Sequence, residues 1–413
     1  MWKYIYIFLA VALVGAVGFL GYRYFESYKN PALPAINAVP TNAALLLEIN
    51  NPAATFKTIL YNTEIWNPGD PGLKIQELNE LSIEISILDS IIRTDIAAAN
   101  ILESSKMIFA AIPIDSVQYG TLMVIAPPPT GNSFSLEDFV ERNAGTIIHG
   151  KYREASLSRV WLEKSATELF FSVHKTLLIL SFNETVVKKA IDQLDSGISL
   201  GSDKYFKKIK ATAGKNADAH LYTQFSGFSN FPYKILKENA LRPGQVSGFA
   251  NWMELDIILK PREILLNGFS IVDDSVSQYL NCFAQEPQQI EVPDILPYDV
   301  SLLLDLGFAN FEEYLKKYTD YLYEAGLLKK FDKDLLTINK QYGVKLQKEF
   351  FPLVGSEAGL AFYGTNGNGK KNCYVFFKAK DIKTSVAFLD KLALKASRKQ
   401  GKDIYSKEHN EYL

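Results

Sequence analysis

Val39-Pro40-Thr41-Asn42-Ala43-Ala44-Leu45-Leu46-Leu47-Glu48-Ile49 returns, position for position, as Leu296-Pro297-Tyr298-Asp299-Val300-Ser301-Leu302-Leu303-Leu304-Asp305-Leu306. Both stretches read aliphatic-Pro, two turn residues, two small or β-branched residues, three leucines, an acid and an aliphatic. Proline and the turn residues punctuate the start, and the short apolar run that follows reads as a strand. Two such strands about 257 residues apart imply an internal repeat.

The elements downstream of each strand come in the same order. In the first copy a helical pattern over Ile75–Ile92 leads to strands at Lys106–Ile112 and Tyr119–Ile125 and to a helix at Leu136–Asn143. In the second, helices at Phe311–Ala325 and Phe331–Tyr342 lead to strands at Glu357–Tyr363 and Cys373–Phe377 and to a helix at Ile382–Ala396. Only the first copy goes on to Arg159–Glu163, Leu169–Val173 and Thr176–Ser181, which read as strands. A helix then follows over Glu184–Leu194, with Val186, Val187, Ala190, Ile191 and Leu194 on one face and Ser181 or Asn183 as its cap. A helix at Tyr205–Ile209 and strands at His220–Phe225, Trp252–Leu259 and Glu263–Ser270 complete it. The second copy reaches Asp403-Ile404-Tyr405, the counterpart of Thr146-Ile147-Ile148, before Leu413. The expectation is a truncated product, or a reduced second unit that packs on the first, since a repeat halted there leaves a sheet edge unpaired.

The fold class expected is therefore α+β, with antiparallel twisted sheets flanked by helices in two related repeat units, plus one N-terminal transmembrane helix. Its segments are 1–29, anchor and flanks; 30–37, a Pro-containing linker read as an extended spacer; 38–287, the first unit; and 288–413, the second, incomplete repeat.

The anchor is read from the charge-free run Tyr4–Tyr22 between Lys3 and Arg23, in which Tyr4, Ile5, Phe8, Leu9, Val11, Leu13, Val14, Val17, Phe19, Leu20 and Tyr22 carry the apolar surface. At about 1.5 Å per residue the run reaches about 28 Å, close to a hydrocarbon core of roughly 30 Å. Trp2, Tyr4 and Tyr6 at one end and Tyr22, Tyr24 and Phe25 at the other resemble interfacial belts. A cleaved signal peptide needs small residues at its end, where this run has Phe19, Leu20 and Tyr22; Gly15-Ala16-Val17-Gly18 is the alternative cleavage region. A lipoprotein signal requires a cysteine, and the only two are Cys282 and Cys373. An uncleaved anchor is expected. Its short N-terminal tail stays cytoplasmic, which places the chain in the inner membrane as a single-pass protein with its bulk in the periplasm.

Composition narrows the function classes. A formal net charge of −2 with interspersed signs gives no basic stripe and argues against nucleic acid as a partner. The 26 Phe and 22 Tyr suit β-rich packing. Cys282, which follows Tyr-Leu-Asn and precedes Phe-Ala, and Cys373, which opens the apolar run Cys-Tyr-Val-Phe-Phe, read as packed thiols and not as a bridge. Gly364-Thr365-Asn366-Gly367-Asn368-Gly369-Lys370-Lys371 has a strand after it and no Ser or Thr after the lysine, so it reads as a hairpin turn and not a phosphate loop. His149, His174, His220 and His409 have no ligand spacing along the chain, and no metal or cofactor is expected. His149 and His174 read as solvated. No Gly-x-Ser-x-Gly elbow occurs. Glu48 and Asp305 are the carboxylates to watch, a buried partner or a general base being one reading and the wet face of the strand the favoured one. Asp273-Asp274 reads as the cap of a helix over Ser275–Cys282.

The anchor, the Val39–Glu48 strand, Ser199-Leu-Gly-Ser-Asp-Lys-Tyr-Phe-Lys-Lys-Ile209 after the Glu184–Leu194 helix, and Trp252-Met253-Glu254-Leu255-Asp256 followed by Ile264–Phe269 resemble the DUF3352 family of envelope-facing Bacteroidetes proteins. The family has no assigned activity, so the resemblance transfers no functional residue. The expectation is a non-enzymatic interaction or assembly module with a protein partner in the envelope. A binding module for an apolar ligand such as lipid is the alternative, and a hydrolase comes third.

Overall fold

The computed structural model describes residues 33–59, 103, 105–115, 118–126, 146–162, 167–228, 247–273, 275–366 and 370–400. The expected anchor, the helices at Ile75–Ile92 and Leu136–Asn143, Asp403–Tyr405 and the tip Gly367–Gly369 lie outside them. Among the described residues no helix is long and apolar enough to cross a membrane. Contacts divide the chain into two units, one running to Ser247 with Asn251–Ile271 added, the other from Val272 with Gly248–Ala250 added.

The first unit is built on β1 (Leu45–Ile49), β2 (Lys106–Pro113), β3 (Tyr119–Ala126), β4 (Ile147–Ile148), β5 (Lys151–Tyr152), β6 (Ala155–Ser156), β7 (Ser158–Leu162), β8 (Thr167–His174), β9 (Leu177–Ser181), β10 (Ala219–Gln224), β11 (Trp252–Leu259) and β12 (Ile264–Ile271). All but the β5-β6 pair form one sheet of order β12-β11-β10-β1-β2-β3-β9-β8-β7-β4, and every pairing is antiparallel. Its helices are α1 (Pro52–Lys57), α2 (Glu184–Ser196) and α3 (Lys204–Lys210). Helix α2 starts where Asn183 accepts the Thr185 N–H at 2.9 Å and stops at Gly197, whose φ of 69° suits a residue without Cβ. Its buried stripe is the one expected: Val186, Val187, Ala190, Ile191 and Leu194.

Both faces of the sheet are covered over its central strands. Leu46, Ile108, Val124, Ile179, Tyr222 and Trp252 pack with α2 and α3, while Ile49, Met107, Phe109 and Ala219 pack with Phe56 of α1 on the other side. The Pro-bearing stretch read as a spacer is described from Leu33. There it turns into a 3-10 helix, Ala35–Ala38, which joins the core because Ala35, Ile36 and Ala38 are apolar and buried.

The second unit holds a three-stranded antiparallel sheet of order β13 (Val300–Gly307), β14 (Val354–Asn366) and β15 (Lys370–Ala379). The pairing of Asn366 with Lys370 makes the glycine-rich string a hairpin connection, as its Asn-Gly content predicts. Helices α4 (Phe311–Glu324), α5 (Leu328–Tyr342), α6 (Leu346–Glu349) and α7 (Ile382–Gln400) accompany it. The aromatic residues fill this core: Tyr314 lies 4.7 Å from Phe308 and stacks on Tyr318, and Phe350 contacts Phe377 and Phe388. The helix expected over Ser275–Cys282 is instead a 3-10 helix at Tyr279–Phe283. Asp273 turns the chain ahead of it by accepting the Ser275 N–H and hydroxyl at 3.0 and 2.6 Å. Cys282 is buried as expected, but Cys373 is exposed on β15, the edge strand of its sheet.

Candidate functional site

Strands β10 and β11 carry polar side chains on the face that α3 covers. Their register sets His220 opposite Asp256 and Tyr222 opposite Glu254, and β1 adds Glu48 opposite His220 and Leu46 opposite Tyr222. Residues two apart on a strand share a face, so Glu254 and Asp256 point the same way. The result is a row Glu48–His220–Asp256 with Tyr222 and Glu254 beside it. Phe206 of α3 closes over the apolar end, 5.3 Å from Tyr222 and 5.1 Å from Trp252.

His220 Nδ1 lies 2.8 Å from Asp256 Oδ1 and 3.4 Å from Glu254 Oε1. Asp256 also accepts the Gly214 N–H, at 2.9 and 3.0 Å from its two oxygens. Glycine at 214 leaves room for this contact: a Cβ there would stand 2.3 Å from Asp256 Oδ2 and push that carboxylate aside. Glu254 is 0% exposed, and among the described residues neither of its oxygens has a hydrogen-bond partner. The Thr212 hydroxyl, a close neighbour, gives its proton to the Ile209 carbonyl at 2.7 Å.

The two acids titrate in opposite directions. Burial, reinforced by the neighbouring Asp256, pushes the Glu254 carboxyl up to about 7. Burial also works against the charged form of Asp256, but the Gly214 N–H, Glu254 and His220 outweigh it and leave that carboxyl below its ordinary value. Burial and the surrounding acids raise the Tyr222 phenol, which stays neutral. With Nδ1 held by Asp256 and the residue only 5% exposed, His220 is closed to a bulky substrate. The cluster can hold a proton or a cation.

Glu48, expected on a wet face, is buried and paired with Lys210 of α3, Nζ to Oε2 at 2.8 Å. The expectation failed because β1 is a central strand, covered on both faces, where alternation does not mark a wet face. Asp305 is likewise not on a wet face. It is partly buried, both of its oxygens are buried without a hydrogen-bond donor among the described residues, and its carboxyl faces Glu357. Glu357 in turn accepts the backbone N–H of Glu291 and Val292, at 3.1 and 2.9 Å. Burial, then the Glu357 carboxyl, raises Asp305 to about 6. Glu48 belongs to the first unit and Asp305 to the second.

His174 is not simply solvated. It meets Asp195 at 2.8 Å, and Asp195 also takes the Lys175 ammonium at 2.7 Å. His149 is exposed, 3.4 Å from the Ser158 hydroxyl. The residues that sequence reasoning passed over are His220, Glu254 and Asp256. Histidine spacing along the chain is blind to a partner on the next strand, yet two acids at i and i+2 within Trp252–Leu259 were a visible sign of a polar group on a covered face.

No curated protein and no solved structure matches the chain. The family match starts beyond β1, so the Val39–Ile49 strand, quoted for the resemblance, falls outside it. Over residues 104–407 the chain matches the family described as "Protein of unknown function (DUF3352)", and it belongs to that family.

Proposed function

We propose that this chain is a non-enzymatic module of the cell envelope, held in the inner membrane by Tyr4–Tyr22 with its bulk in the periplasm, where its surfaces engage a protein partner. The charge-free run Tyr4–Tyr22, long enough to span a bilayer, carries the proposal. Exposed apolar side chains on the strands support the interaction role: Leu266 and Phe269 on β12, Leu302 and Leu304 on β13, and Val375 on β15. The meanders β1-β2-β3 and β13-β14-β15 belong to the same reading as two copies of one unit. Each runs antiparallel in sequence order from a strand with three leucines and an acid.

Alkaline carbonate washing of membranes from cells making the full chain tests the anchor. The chain is expected to stay with the membrane, and Leu9→Arg with Leu13→Arg is expected to release it, since each central arginine costs about 2.5–3.5 kcal/mol on an insertion scale. Release of the unaltered chain would contradict the proposal. The non-enzymatic part fails if the full chain turns over members of a hydrolase panel and Glu48→Gln abolishes that turnover.

A further inference from the structure

A carboxylate removed from water and left without a partner is among the costlier features a core can contain. Glu254 is in that position: it is fully buried, neither oxygen has a hydrogen-bond partner among the described residues, and its Oε1 is aimed at His220 Nδ1, 3.4 Å away. We propose that His220, Glu254 and Asp256 bind one divalent transition-metal ion, zinc foremost, through His220 Nδ1 and one oxygen of each acid.

Three features of the cluster carry this. The three donor atoms lie within 4.8 Å of one another. Ligands held at about 2.0–2.2 Å from one ion stand roughly 3–3.5 Å apart, and the 2.8 and 3.4 Å separations from His220 Nδ1 are close to that. The donor set of one imidazole and two carboxylates suits zinc or manganese; calcium and magnesium favour all-oxygen sets, and copper(I) favours thiolate and thioether. The surroundings are also those of a ligand site. The Gly214 N–H donates to the Asp256 carboxylate and orients it, as outer-shell donors do around metal ligands. The Lys210 ammonium in this row is spent on Glu48, so it leaves Glu254 to another cation.

An ion held there would fasten β10 to β11 and, through Gly214, to the turn that follows α3. Because His220 and Glu254 are closed off, its role would be structural or regulatory. The site is independent of the proposed anchor.

The test titrates the full chain in detergent with zinc chloride, reading heat of binding and thermal unfolding, with cobalt(II) substitution read by visible absorption. Expected results are about one ion per chain, a melting temperature that rises with zinc, and cobalt bands of a low-symmetry nitrogen and oxygen site. Glu254→Gln, which keeps the side chain's shape, is expected to weaken zinc binding roughly 100-fold or more, and Gly214→Ala, which displaces Asp256, about 10-fold. Glu254→Gln is also expected to melt no lower than the parent when both are metal-free, which separates loss of a ligand from loss of the fold. Zinc binding unchanged by Glu254→Gln, or no zinc-dependent shift in the parent chain, would overturn the proposal.

Discussion

A carboxylate inside a strand needs a cation or a proton, and the two leucine-rich strands meet that need differently. Glu48 takes the Lys210 ammonium, whereas Asp305 faces Glu357, whose carboxylate is held by two backbone N–H groups. The asymmetry gives two predictions. Asp305 is raised in the folded state to about 6, so the proton it holds stabilises the fold fully below about pH 4, and that contribution is lost as pH rises through about 6. Asp305→Asn, permanently neutral and able to donate to Glu357, should therefore exceed the parent in stability by about 1–2 kcal/mol at pH 7.5, with the gap closing near pH 4. Urea unfolding of the full chain at the two pH values measures it, and an equal gap at both would refute the raised Asp305 carboxyl. Lys210→Met, which leaves Glu48 charged and buried, should cost roughly 1–3 kcal/mol, and more than Glu48→Gln, which removes the charge. At this scale the sequence was legible in residue type and not in partner. The acids stood out among leucines, but Lys210 lies far along the chain, and a His220–Asp256 contact exists only once β10 and β11 are in register.

The elements were legible wherever local chemistry sets their limits. Asn183 before a stripe of Val186, Val187, Ala190, Ile191 and Leu194, with Gly197 after it, describes α2 completely. The strands β2, β3 and β7 to β12 lie on the apolar runs read as strands, whereas the two-residue pair β5-β6 was not read from the sequence. The spacer reading of residues 30–37 missed because prolines indicate an extended chain while Ala35, Ile36 and Ala38 still have a sheet to bury against. One connection departs from the usual chemistry. The β8-β9 hairpin joins His174 to Leu177 through Lys175 and Thr176, at φ of 46° and 70°, where Asn-Gly is the favoured pair. A β-branched residue is strained there. Thr176→Gly is expected to raise stability by up to about 1 kcal/mol, seen as a higher urea midpoint with an unchanged slope. A lower midpoint would show that the Thr176 hydroxyl, which accepts the Leu33 N–H at 3.4 Å, outweighs the strain.

For the whole molecule, membership of a family of unknown function leaves the account to stand on where the chain is held and which surfaces it offers. The two cysteines give a direct handle on location. Cys282 is buried, and burial pushes its thiol up to about 11, so it is a poor nucleophile; Cys373 is exposed on β15. A membrane-impermeant maleimide added to cells with a permeabilised outer membrane and an intact inner membrane should therefore label the full chain at Cys373 alone, and Cys373→Ser should abolish the label. The account predicts this labelling from the periplasmic side; a chain labelled only after the inner membrane is broken would contradict it.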